Sequence, residues 1–175
     1  MAYCNQTLAG ITLDCSNNKG GIKRVFIANF GDVKSFEMDA EGGKITGLTM
    51  DSDATFKAYQ FRKNTGSMTS TLTADETNGL NFVTTELALV FTKMDTAKRI
   101  EMAAISLGQL AVICEDSNGI YWYLTPDDYA SASAGTGETG TAKGDRNAYT
   151  LTLSVENDSY PIEITEEAVM AVIAE

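Results

Sequence analysis

Apolar and polar residues alternate with a two-residue period through much of the chain. Tyr149, Leu151, Leu153 and Val155 point one way and Thr150, Thr152 and Ser154 the other, which predicts a half-buried strand. Met68, Ser70 and Leu72 alternate with Ser67, Thr69, Thr71 and Thr73, giving an outer face made almost entirely of hydroxyl side chains. Leu87, Leu89 and Phe91 alternate with Glu86, Ala88 and Val90, a strand apolar on both faces toward its end. Further strands are predicted over 24–30, 44–50, 55–62, 110–115, 120–124 and 160–164. Asp116-Ser117-Asn118-Gly119 joins two of these as a hairpin, because Asn-Gly tolerates the positive φ of a tight turn. Asn78-Gly79 and Gly42-Gly43 carry weaker forms of that signal. Alternation also assigns the aromatic run: Tyr121 and Tyr123 share one face, and Trp122 joins Ile120 and Leu124 on the other.

One segment has helical spacing. Over 95–107, Ala97, Ile100, Ala104 and Leu107 recur every three or four residues, Asp95 is placed to cap the first turn, and Gly108 to end the run in a left-handed conformation. That stripe is expected to pack on a sheet, so Ile100→Asp is expected to cost several kcal/mol, on the order of a buried unpaired charge. Residues 166–173 are ambiguous. Val169, Ala171 and Ile173 alternate, yet Glu166-Glu167-Ala168 suits a first helical turn, which favours a short helix or arm. The expected fold is mainly β: a sandwich or barrel of antiparallel strands with one flanking helix. A chain of 175 residues fits one domain of 23–165, preceded by an arm or linker over 1–22 and followed by 166–175.

Residues 131–145 break the alternation. With four glycines and no large apolar side chain, they are expected to form a long mobile loop. Gly135, Gly137, Gly140, Lys143, Asp145 and Arg146 are the candidate site residues, as an assembly element. The backbone would pair with a neighbouring subunit, Asp145-Arg146-Asn147 would fix the loop's exit, and Arg146 would fork onto a partner carboxylate. On this reading, deleting 135–141 leaves the monomer as stable as before and weakens self-association. The string Gly135-Thr136-Gly137-Glu138-Thr139-Gly140 matches GxGxxG. It lacks the preceding apolar strand and following helix of a dinucleotide site, and Lys143 precedes Gly instead of Ser or Thr.

Charge and composition narrow the chemistry. Thirteen Lys and Arg against 24 Asp and Glu give a formal −11, which argues against a partner held by phosphate neutralisation. The absence of histidine removes Ser-His and Cys-His catalysis and most zinc and non-haem iron sites. No catalytic set, cofactor or metal site is expected, and the reading is not an enzyme. Asp51-Ser52-Asp53 lacks the rest of a calcium-loop frame. Asp127-Asp128 and Glu166-Glu167 read as solvated charge, Trp122 as core, and Arg62-Lys63 and Lys98-Arg99 as too sparse for nucleic acid. Cys4, Cys15 and Cys114 read as thiols, with a Cys4–Cys15 bridge as the alternative. Neither a signal peptide nor a membrane span is expected.

From about residue 87 onward the chain resembles structural proteins of tailed bacteriophages and prophages of the kind found in Bacteroides. The likeness runs through 98–104 (KRIEMAA), 111–124 (AVICEDSNGIYWYL) and 137–153 (GETGTAKGDRNAYTLTL). That order of helix, strand, Asn-Gly turn, aromatic strand, Gly/Thr loop and alternating strand looks like a tail-tube protein. The resemblance implies a β-sandwich or barrel with a flanking helix, assembling as hexameric rings that stack into a hollow conduit. The partners it implies are other copies of the chain and other virion proteins. DNA would be non-sticking cargo, since an acidic wall repels phosphate. The resemblance further implies no membrane, and a location in the virion after synthesis in the host cytoplasm. Two alternatives stay open. One is another virion component (tail terminator, head-completion, capsid-decoration or baseplate protein). The other is a secreted immunoglobulin-like module, with Trp122 or the Gly/Thr loop meeting a glycan.

Overall fold

The computed structural model describes residues 7–173. Two sheets form the body. The larger has seven strands in the order β2 (Val33–Met38), β3 (Lys44–Met50), β11 (Ile162–Ile164), β8 (Tyr121–Tyr123), β7 (Leu110–Asp116), β1 (Ile22–Asn29) and β4 (Lys57–Tyr59). The smaller has β5 (Gly66–Asp75), β6 (Leu80–Thr92), β10 (Ala148–Asn157) and β9 (Ser131–Glu138). All pairings are antiparallel except β11 with β3. Neither sheet closes on itself, so of the two expected forms the protein has the open, layered one.

Two cores follow from the alternation. Between the sheets, Val25, Ile27, Val112 and Cys114 of the larger meet Leu87, Leu89, Phe91, Leu151, Leu153 and Val155 of the smaller. On the opposite face of β1, β7 and β8, the side chains of Phe26, Ala111, Ile113, Tyr121 and Tyr123 are covered by Ile45, Phe56 and the helix α2 (Glu166–Met170). Trp122 and Leu124 belong to the first core and Tyr121 and Tyr123 to the second, as the alternation requires. α2 is therefore a packed helix and not an arm: Ala168, Val169 and Val172 are buried, and Thr165 caps its first turn through Ala168 N.

The Asn-Gly and Gly-Gly turns fall between β7 and β8, β5 and β6, and β2 and β3, with Gly119, Gly79 and Gly42 at positive φ. Two strands have no clear alternation in the sequence. In β2 the inward residues are Val33, Phe36 and Met38, because irregular register after Val33 shifts the phase. The other is β9, within 131–145, where a mobile loop was expected. The 55–62 strand contracts to the three residues of β4.

The main helix, α1 (Thr96–Leu107), is where expected, with Asp95 accepting from Lys98 N at 2.8 Å, but it is rotated. Ile105 is 2% exposed and Met102 packs on the first core, whereas Ile100 is 57% and Leu107 91% exposed. Residues 98, 102 and 105 form a second set at helical spacing. A hydrogen bond from Tyr59 OH to Glu101 helps to hold the helix in that orientation. Gly108 is also reassigned. Its φ is −84°, which is no left-handed cap, and a Cβ there would lie 2.9 Å from Leu110 Cδ2, so what glycine offers here is room for that side chain.

Candidate functional site

The residues proposed as an assembly element do lie together, at the free edge of the smaller sheet. β9 pairs with β10 from Ser131↔Ser154 to Glu138↔Ala148, and among the described residues no strand lies along its other edge. Small side chains suffice here because an outermost strand is held by its backbone bonds and need not bury an apolar face. Gly137 lies opposite Tyr149, whose ring would sit 2.8 Å from an added Cβ. Gly135 approaches Thr150 O closely enough that a Cβ would be 3.3 Å away.

Beyond β9 the chain makes a compact turn. Gly140 has φ +68°, and Asp145 Oδ2 accepts from the backbone N–H groups of Thr141 and Ala142, both at 2.7 Å. Those backbone bonds, Ala142 first and then Thr141, hold the Asp145 carboxyl below its ordinary value. Asn147 ties the exit to the end of β6, accepting from Lys93 N through its carbonyl and from Met94 N through its side chain, each at 2.8 Å. Arg146 is already engaged. Its Nε donates to Glu138 Oε1 at 2.6 Å within the same chain, and its side chain stays about half exposed. Lys143 is exposed. A trough of about 330 Å³ runs between α1 and β9, over Met102, Ser106, Ala132, Gly135 and Leu151.

A second constellation escaped the sequence reading. Arg24 on β1 faces Glu115 on β7, and the Glu115 side chain is 3% exposed. Arg24 Nε and Lys23 Nζ both bond this carboxylate, the latter at 2.6 Å, and Arg24 Nη2 donates to Tyr121 OH at 2.5 Å. Burial alone would raise the Glu115 pKa, but hydrogen bonds from Arg24 and Lys23 outweigh it and hold the group below its ordinary 4.5. Because the folded value lies below the unfolded one, the unfolded chain takes up the proton first. The stabilisation is present above pH 4.5 and is lost as pH falls through the folded value. Both cations are about half exposed, so the contribution is small, on the order of 1 kcal/mol. Thermal melts from pH 7 to 3 should show this acid-side loss, and Glu115→Gln should flatten it. An unchanged slope in the variant would assign the loss to other carboxylates.

The remaining sequence candidates are scattered. Asp51 pairs with Lys34 at 3.0 Å and Asp53 occupies a positive-φ turn position. Among the described residues no three His, Cys, Asp or Glu side chains converge as a metal site would require. Burial raises the Cys114 thiol pKa strongly, which leaves it poorly nucleophilic. Cys15 is exposed, and Cys4 lies outside the described residues. No helix is long and apolar enough to cross a membrane among the described residues. No protein family, curated protein or solved structure matches the chain.

Proposed function

We propose that this chain is a virion structural protein of tail-tube type, whose copies assemble into rings that stack as a conduit for DNA. The observation that carries the reading is the outward face of α1. Ala97, Ile100, Ala104 and Leu107 form an apolar stripe at helical spacing, and all four are exposed. A stripe of that pattern is ordinarily covered, and a neighbouring subunit would cover it. Two other features agree. Leu8, Ile11 and Leu13 stand exposed in the N-terminal segment, and among the described residues no strand pairs with the outer edges of β5 and β9 in the smaller sheet. An acidic chain also suits a wall past which nucleic acid must slide without adhering.

Negative-stain electron microscopy of concentrated protein tests this. Rings or tubes of uniform diameter are expected, and Ile100→Asp should abolish them while the protein stays folded. A wild-type protein that sediments as a monomer at every concentration would refute the proposal.

A further inference from the structure

One cleft is basic in an acidic protein. About 740 Å³ in volume, it opens where Lys19, Gly20 and Gly21 pass the segment Phe61–Asn64, with Ile22 and Phe61 as its apolar lining. Lys19, Lys23, Arg62 and Lys63 line it and no acidic residue does. Glu115 compensates Lys23, whereas Arg62 bonds the neutral Thr92 hydroxyl, so Lys19, Arg62 and Lys63 carry the cleft's uncompensated positive charge. The cleft's walls are fixed: Lys19 N donates to Asn118 Oδ1 at 2.8 Å and Ser117 N to Gly21 O at 3.0 Å.

The matching surface lies at the other end of β5. That strand starts at Gly66, next to the cleft, and ten residues later reaches the β5–β6 turn, about 30 Å away at strand rise. β10 stops pairing with β6 at Val83, so the pairs Thr73↔Phe82, Ala74↔Asn81 and Asp75↔Leu80 project past the sheet as a two-stranded ribbon. Its tip is preorganised. Asp75 accepts from Thr77 N at 2.9 Å and from the Asn78 side chain at 2.5 Å, and Gly79 turns the chain at φ +66°. With Asp75 so occupied, Glu76 is the exposed charge, and Leu72 and Leu80 are half exposed behind it. From 64 to 92 the chain has no Lys or Arg.

We infer that the acidic β5–β6 tip of one copy docks in the basic cleft of the next. This rests on the self-association proposed above and specifies one of its contacts. Donor and acceptor sit at opposite ends of one strand, so the contact is head-to-tail and propagates from subunit to subunit. It also answers the repulsion that opposes association of chains each carrying −11, by setting the few clustered cations against a segment that has none. The bulk of a copy repels its neighbour, and this one pairing attracts it.

Sedimentation velocity at low and high salt tests the contact in full-length protein. Lys19→Glu with Lys63→Glu, and separately Glu76→Lys, should each raise the concentration needed for assembly at least about tenfold at low salt. Joining all three changes sets Glu76→Lys against Lys19→Glu and Lys63→Glu, reversing the charge at the three tested positions, and should restore assembly to within about threefold of wild type. Circular dichroism confirms that each variant is folded, and Glu76, at a turn tip, is a site where substitution leaves the core untouched. Variants that assemble like wild type, or a triple variant that stays impaired, would overturn the inference and leave the self-association reading intact. A wild-type chain that never assembles would overturn both.

Discussion

Ile105→Asp should lower the melting temperature by about 10 °C, while Ile100→Asp on the same helix should leave it almost unchanged. Ile105 is the one buried side chain of α1, and it enters the first core beside Leu110, with Met102 packed nearby. An aspartate there would place a carboxylate among apolar side chains with no cation to pair it. The cost is about 3–5 kcal/mol, a large share of the stability of a domain of this size. Ile100 already faces solvent, so a charge there should change stability by no more than about 0.5 kcal/mol. Equal melting of the two variants, measured side by side, would show that the helix is rotated from the orientation described.

Deleting residues 135–141 should destabilise the monomer, contrary to what a mobile loop would do. The deletion removes the half of β9 that pairs with Ala148, Tyr149, Thr150 and Leu151, together with the turn closed by Asp145. Losing roughly four backbone hydrogen bonds at about 0.5–1 kcal/mol each gives a loss of about 2–4 kcal/mol. It also opens the trough beneath α1, where Leu151 and Met102 lie. Urea unfolding reads this directly. A midpoint equal to that of wild type would mean that β9 contributes nothing to the folded chain.

The contrast between these two regions shows what a linear pattern can carry. Strands that bury one face announced themselves: β10, with Leu151, Leu153 and Val155 inward, follows directly from alternation, and so does the split of Trp122 from Tyr121 and Tyr123. β9 could not, because its residues are chosen for what they leave out. Gly137 makes room for the Tyr149 ring, and that requirement lies on another strand. In α1 the pattern identified an apolar stripe correctly and gave it the wrong destination. Spacing defines a face; only the rest of the molecule decides which way it turns. The Arg24–Glu115 pair and the basic cleft were invisible for the same reason. Glu115 is separated from Arg24 by 91 positions, and Lys19 and Lys63 become neighbours of one space only when the first strand is in place.

The place of β11 has a consequence for how the chain folds over time. This three-residue strand lies between β3 and β8, so the β2–β3 hairpin joins the rest of its sheet only through it. Glu163 pairs with Lys44, 119 positions earlier, and Phe56 N bonds Val172 O at 2.9 Å. A ribosome takes on the order of ten seconds to cover that interval. Until it has passed, Ile45 and Phe56 lack Ile164, Ala168, Val169 and Val172, the members of their cluster that are made last. The hairpin must wait, apolar face open, for a strand not yet synthesised. Such long-range closure makes folding slow and a late, whole-chain event. Nascent chains stalled before residue 162 should therefore be the species that chaperones hold.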